Sequence, residues 1–465
     1  MVGNSVRLLK DGCENYPAWL DAIRSARHWI HFETYILHQD KIGKEFAEAL
    51  AERARAGVKV RLLVDWFGNM LKTTPLFWRT MRQAGVEARS FGYPTIDSPL
   101  GWISRDHRKS LIIDGRVAFV SGLCVGDDWT DDGHEAQRDT GVMIQGPAVA
   151  DVEAAFAEAW ATTGKPVPAE ELLTAEQIPI AGDVALRVIA TMPSTWGVFK
   201  LDQLVASVAR ETLWVTDAYF VGVSAYVNAL IAAAKDGVDV RLLVPGTVDV
   251  FGVGSMSRAG FRPLLEGGVR IFEWNGVMLH AKTAVADGKW ARVGSTNANI
   301  TSWFGNWELD VAVEDERFGQ QMMAMFEKDL ANATEVVLTK RKMHSLERRR
   351  KPRFDELRTH GRSATRAATA GAIRLGRTFG AAMMQRREVG AAEAYNLFWS
   401  SLLFLGLGAL ALWYPESIAY PFGVLGVWFA LVGLFRSFRL YRRGIQEPPR
   451  ARDIIGVSQD SRKAG

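Results

Sequence analysis

The chain has 465 residues, 48% of them hydrophobic, enough for roughly two to four domains and a sizeable core. Its two cysteines, Cys13 and Cys124, exclude a disulfide framework or a cysteine-rich metal cluster, and residues 1–20 lack the basic start and apolar stretch of a signal peptide. The net charge of +4 is uneven: residues 340–395 hold fifteen Lys/Arg against five Asp/Glu, which is +10, so the rest sums to −6.

In chain order, residues 17–26 carry apolar side chains at helical spacing, and His28 to Leu37 reads as a strand. Gly43 to Ala56 repeats the helix pattern, with Gly57 placed just past its end. Val58 to Asp65 is a β-rich run, so strand, helix and strand predict a βαβ unit with parallel strands. A helix near Pro75–Ala84 and the stretch Gly85 to Arg89 follow.

The same order returns after residue 183. Leu201 to Arg210 reads as helix, Leu213 to Phe220 as strand and Ser224 to Lys235 as helix, and Gly237 to Val244 echoes Gly57 to Val64. Gly268-Val269-Arg270 echoes Gly85-Val86-Glu87, and residues 315–338 predict a closing helix and a last strand. The offsets between the copies are 180, 183 and, further on, 173, so the first half carries about ten extra residues around 93–102. A repeat this long is a duplicated domain. Residues 1–165 and 184–338 form its two halves, joined by a Pro-containing linker at 166–183.

Each half contains one copy of a pattern. The first is His107-Arg108-Lys109-Ser110-Leu111-Ile112-Ile113-Asp114-Gly115, and the second is His280-Ala281-Lys282-Thr283-Ala284-Val285-Ala286-Asp287-Gly288. In an extended chain the His and the Lys two residues on share a face. Asp-Gly before a further apolar run predicts a hairpin turn. Asp114 and Asp287 fall at that turn and read as holding the hairpin. One such pattern is weak evidence, since a lone His beside a Lys is usually structural. Two copies at matched spacing point to a single site between the halves, a common place for clefts.

After the turns come Val120-Ser121-Gly122-Leu123-Cys124 in the first half and Val293-Gly294-Ser295-Thr296-Asn297 in the second. The doubled pattern resembles the paired HxKxxxxD signature of the phospholipase D superfamily. Phe32-Glu33-Thr34-Tyr35, Asp217-Ala218-Tyr219-Phe220, Arg138-Asp139 with Gly146-Pro147, and the Gly294 to Asn297 ending make it similar to the cardiolipin synthase branch over residues 5–330. That resemblance implies two phospholipase D-like α/β domains related by a pseudo-two-fold axis. It implies a catalytic set of His107, Lys109, Asp114, His280, Lys282 and Asp287, and a phosphohistidine intermediate that needs no metal or other cofactor. His107 would be the nucleophile, as the N-terminal His usually is in relatives, with His280 as acid and base, although the residues alone leave that symmetry unbroken. Ser295 and Asn297 would bond the substrate phosphate, and Glu308 would orient a histidine. Its counterpart is Asp139 by strand context or Glu135 by spacing from His107. Gly122 and Cys124 depart from the pattern, Cys being a weak donor.

Residues 340–395 read as a basic arm, either a solvated connector or a surface for anionic lipid. Asn396 to Trp413 and Ile418 to Phe435 are each eighteen residues without a charge, separated by Tyr414-Pro415-Glu416-Ser417. They predict a membrane hairpin, each span near the lower length limit. A buried hairpin of a soluble protein and a re-entrant hairpin are the alternatives. Arg386 and Arg387 before it, and Arg436, Arg439, Arg442 and Arg443 after it, place both ends and the catalytic body on the cytoplasmic side of the plasma membrane, with residues 436–465 as a tail. The expected activity is transfer of a phosphatidyl group between phospholipids, phosphatidylglycerol first among them. Hydrolysis by the same intermediate is the alternative. A nuclease fits poorly, because a body that neutralises phosphates along DNA is usually basic. Oligomeric state is not legible.

Overall fold

The computed structural model describes residues 1–70, 72–94, 103–130, 136–193, 195–249 and 253–338, with Tyr420, Val427, Trp428 and Leu431. The basic arm, the tail, almost all of the expected hairpin, Glu135 and residues 95–102 lie outside the described residues. Among the described residues no helix is long and apolar enough to cross a membrane. Tyr420, Val427, Trp428 and Leu431 are helical and exposed.

The first half contains strands β1 (Ser5–Lys10), β2 (Trp29–Thr34), β3 (Lys59–Asp65), β4 (Glu87–Phe91), β5 (Ser110–Ile113), β6 (Val117–Ser121) and β7 (Thr140–Gln145). Helices α1 (Asp11–Ser25), α2 (Lys41–Arg55), α3 (Trp66–Asn69), α4 (Pro75–Gln83) and α5 (Val149–Thr162) connect and cover them. The second half contains β8 (Ala185–Thr191), β9 (Thr212–Thr216), β10 (Asp239–Pro245), β11 (Arg270–Trp274), β12 (Thr283–Ala286), β13 (Trp290–Gly294), β14 (Glu308–Glu314) and β15 (Ala333–Val336). Its helices are α6 (Gly197–Val208), α7 (Ser224–Lys235), α8 (Val253–Glu266), α9 (Ile300–Phe304) and α10 (Glu316–Leu330).

The sheet orders repeat. The first is β1-β7-β6-β5-β2-β3-β4 and the second, read from its other edge, is β8-β14-β13-β12-β9-β10-β11-β15. β2, β3 and β4 run parallel, as do β9, β10 and β11, and the remaining pairs are antiparallel. The βαβ units expected from the spacing are therefore present in both halves. β3 is largely apolar between its charged ends because both of its faces are covered: Val60, Leu62, Leu63 and Val64 are all buried, and the one charged residue among them, Arg61, pairs with Glu171.

Local chemistry sets the helix ends. Asp40 caps α2 by accepting from the Gly43 N–H at 2.8 Å, and Gly57, at φ +92°, closes the turn beyond it. Thr74 caps α4 with Pro75 following, and Asp315 caps α10. α1, α2 and α4 pack Trp19, Phe46, Leu50 and Phe77 on one face of the first sheet. α6, α7, α8 and α9 do the same for the second sheet with Val205, Leu230, Leu264 and Trp303.

The other faces meet in one core. Ile112, Val120 and Val142 of the first half cluster with Val285, Val293, Leu309 and Val311 of the second, and Phe156 of α5 and Met322 and Phe326 of α10 complete it. Each such fully buried side chain contributes about 1.5–3 kcal/mol. The two halves thus share a core. Chain connectivity reinforces this, since the Asn4 and Val184 backbones bridge the start of each half. The linker packs as well: it forms short turns at Ala169–Glu171 and Ala175–Gln177, and buries Val167 and Ile178.

Candidate active site

His107 and His280 both line one cavity of about 540 Å³. Each lies just ahead of β5 or β12, not within the strand as the alternation predicts, because the chain there leaves its own sheet. The His107 N–H donates to the Trp307 carbonyl of the second half at 2.9 Å, and the His280 N–H donates to the Arg138 carbonyl of the first half at 2.8 Å. Each histidine segment is thus held by the opposite half.

The side chains cross over in the same way. Nδ1 of His107 sits 2.9 Å from Glu308 Oε2, and Nδ1 of His280 sits 2.7 Å from Asp139 Oδ2. An orienting carboxylate within the same half, as spacing from His107 suggests, is not what forms: Asp139 serves His280 and Glu308 serves His107. A carboxylate on Nδ1 fixes the ring and leaves Nε2 as the nitrogen available to the cavity.

Lys109 and Lys282 are buried behind the rings. Lys109 Nζ donates to the His107 carbonyl at 2.5 Å, and Lys282 Nζ donates to the His280 carbonyl. Lys109 Nζ also stands 5.3 Å from the centroid of Tyr35, and Lys282 Nζ 5.8 Å from that of Tyr219. Those tyrosines meet the histidines edge to face, at 5.1 Å for His107 and 6.0 Å for His280. The tyrosine pair was legible as the repeated Tyr of Phe32-Glu33-Thr34-Tyr35 and Asp217-Ala218-Tyr219-Phe220, though those motifs carried no assigned role.

Electrostatics separates the two rings. Burial pushes His107 well below the ordinary imidazole value, and the ammonium groups of Lys109 and Lys282 add to the push. Burial and Lys282 lower His280 too, but Asp139 opposes them. Burial alone would raise Asp139; the His280 ring and Lys282 outweigh it and hold the carboxyl below its usual value. Glu308 goes the other way. Burial raises it to about 7, against the pull of Lys109 and the hydrogen bonds of Ser295 and Asn306. Lys282 is brought down to about 8 by burial.

The loops after the turns explain the departure at Gly122. Ser295 Oγ donates to Glu308 Oε2 at 2.5 Å and accepts from the Leu309 N–H at 3.0 Å. It therefore steadies the carboxylate instead of lining the cavity. In the first half, a Cβ at position 122 would fall 2.2 Å from Asp139 Oδ1, so glycine makes room for the shorter carboxylate. Trp129 Nε1 donates to Asp139 Oδ2 at 3.2 Å, and the Trp129 ring meets His280 edge to face at 5.6 Å. No feature of the sequence marked Trp129.

Asn297 does line the cavity, and its Oδ1 has no hydrogen-bond partner among the described residues. Cys124 lines it at the matching place in the first half. Asp114 and Asp287 lie away from it. Each sits at φ +52° in the turn, and its carboxylate accepts three backbone N–H groups: Arg27, His28 and Trp29 for Asp114, and Arg210, Glu211 and Thr212 for Asp287. They tie the hairpin to the start of β2 and β9. Arg138, whose carbonyl holds His280, is itself fixed by three hydrogen bonds from its guanidinium to Asp329 of α10 and one to Asp11. Among the described residues no three His, Cys, Asp or Glu side chains are grouped as a metal site requires.

The family model described as cardiolipin synthase, PLD-like domain, matches residues 19–160 and 205–330. A cardiolipin synthase of Halalkalibacterium halodurans is 32% identical over 340 residues, covering 71% of this chain and 67% of that one. Cardiolipin synthase 2 of Bacillus anthracis is 33% identical over 350 residues, covering 73% and 67%. The crystal structure of a phosphatidylserine synthase from Haemophilus influenzae shares the fold, with a TM-score of 0.56 at 12% identity over 71% of this chain and 87% of that one. With the doubled His/Lys pattern and the repeated sheet order, these matches place the chain in the cardiolipin synthase family of phospholipase D-like enzymes.

Proposed function

We propose that the protein is a membrane-bound phosphatidyltransferase that exchanges the alcohol of one phospholipid for a hydroxyl of another, giving cardiolipin from phosphatidylglycerol. The observation that carries this reading is the pair of imidazoles in one cavity, each pinned at Nδ1 by a carboxylate of the opposite half.

His107 Nε2 attacks phosphorus, and the bond from phosphorus to the glycerol oxygen breaks. His280 Nε2–H delivers its proton to that oxygen, and glycerol leaves. His280 then takes the proton from the hydroxyl of a second phosphatidylglycerol. The resulting oxygen attacks phosphorus, the phosphorus–nitrogen bond breaks, and both rings return to their starting states. His107 suits the nucleophile, because a ring held well below the ordinary value keeps its lone pair. His280 suits the acid, because its carboxylate stays ionised and stabilises an imidazolium. Lys109 and Lys282 supply fixed positive charge beside the developing negative oxygens.

The sequence of residues 396–435 supports membrane attachment by two short spans. Basic residues at both outer ends favour a catalytic body on the cytoplasmic side, and the arm at 340–395 suits anionic lipid headgroups. The test is direct. Purified protein with phosphatidylglycerol should release glycerol and form cardiolipin, and His107→Ala should abolish both. Product formation unchanged in that variant would end the reading, and phosphatidic acid as the sole product, even with a primary alcohol added, would make it a hydrolase.

A further inference from the structure

A cavity of about 540 Å³ has an edge of roughly 8 Å, whereas one leaflet of a bilayer is about 15 Å of hydrocarbon deep. The acyl chains of a diacyl lipid cannot follow its headgroup inside, so the mouth has to meet the surface in which those chains stay. The rim has the chemistry for it. Met256 and Ile300, on the second half, line the cavity and are 56% and 60% exposed. On the first half, Met70 lies between the lining residues Gly68 and Lys72, and Ile103 lies two residues before the lining residue Arg105; they are 41% and 56% exposed. The Arg105 guanidinium lies 4.1 Å over the Phe67 ring, which brings those two first-half segments together. Lys72 and Arg105 put positive charge on the same rim.

Single exposed apolar side chains are ordinary. Here two line the opening from one half and two lie beside lining residues of the other, near Lys72 and Arg105, which is the composition of a surface that enters the boundary between headgroups and acyl chains. We propose that this lip docks on an anionic bilayer. Met70, Ile103, Met256 and Ile300 enter the interface, Lys72 and Arg105 pair with lipid phosphates, and the headgroup reaches His107 and His280 without its lipid leaving the leaflet. The identity of the lipid rests on the phosphatidyl-transfer reading; the docking does not.

The experiment uses the full chain in a Cys13→Ser background, with an environment-sensitive dye on Ile103→Cys and, as control, on Ile180→Cys, which is 77% exposed and outside the cavity lining. With vesicles of phosphatidylglycerol and phosphatidylcholine, the dye at 103 should shift to the blue and be quenched by bromine on the acyl chains, and the dye at 180 should do neither. In parallel, Met70→Gln with Ile103→Gln should lower turnover of vesicle lipid at least tenfold relative to turnover of dispersed short-chain phosphatidylglycerol. A dye at 103 that stays in water on these vesicles, or equal losses on both substrates, overturns the docking. Wild-type protein inactive on both substrates while the dye is quenched would sink the transferase reading and leave the docking standing.

Discussion

Gly122→Ala is the perturbation that separates a positioned carboxylate from a merely nearby one. The added Cβ would lie 2.2 Å from Asp139 Oδ1 and 3.0 Å from its Cγ, whereas ordinary contact begins near 3.4 Å. The carboxyl must therefore retreat by about 1.2 Å, the difference between 3.4 and 2.2. It is fixed on its other sides by the Thr140 N–H at 2.8 Å, Trp129 Nε1 at 3.2 Å and His280 Nδ1 at 2.7 Å, so the movement comes out of those bonds. A misplacement of about 1 Å at a reacting group costs about 10²-fold. With His280 as the proposed acid and base, kcat should fall on the order of 10²-fold with KM little changed. Overpacking should also remove about 1–3 kcal/mol of stability. Steady-state cardiolipin formation and denaturant unfolding measure the two effects. Gly260→Ala is the control, a helical glycine whose added Cβ would have nothing within 4 Å, and it should leave kcat unchanged. A Gly122→Ala enzyme with kcat within twofold of the parent would refute the claim that Asp139 positions His280.

Three other outcomes follow from the same geometry. Below about pH 7 the Glu308 carboxyl is protonated and donates to His107 Nδ1, which moves the ring proton to Nε2 and removes the lone pair of the proposed nucleophile. The rate constant kcat/KM should therefore rise with pH through about 7, and Glu308→Gln should erase that limb and lower activity on the order of 10²–10⁴-fold; a limb near pH 4–5 in the parent would count against it. Arg138→Ala leaves Asp329 and Asp11 without their buried partner and should cost about 3–5 kcal/mol in denaturant unfolding, while a loss under about 1 kcal/mol would contradict the role of that cluster. Asp114→Ala or Asp287→Ala strips the acceptor from three backbone N–H groups and should cost about 1–3 kcal/mol with kcat kept within threefold below the melting temperature; loss of kcat in folded protein would return those aspartates to the site.

Much of the frame was legible because it is written in local chemistry. Gly57 and Pro75 mark helix ends whatever surrounds them, and Ser224 to Lys235 forms a helix with the bounds its pattern implies. The strand Ser5–Lys10 and the helix Val149–Thr162 went unread. The strand is six residues long, and the helix buries Val149, Val152, Phe156 and Trp160 with little polar contrast to show a period. The partners of the two histidines were legible as residues but not as pairs. Glu308 is 201 positions from His107, and Asp139 is 141 from His280. Spacing reports what one strand places on one face and is silent on which half a side chain crosses into.

That crossing gives the duplication a physical reason to stay intact. A half folded alone would present a histidine with no carboxylate on Nδ1 and no carbonyl for its backbone N–H, because both come from the other half. Once the halves depend on each other they are free to differ. Glu308, with Ser295 and Asn306 bonded to it, is raised to about 7; Asp139, made room for by Gly122, is held ionised. The two imidazoles therefore stand in unequal surroundings. The proposed two-step exchange uses that inequality, since in it one ring binds phosphorus while the other holds the proton.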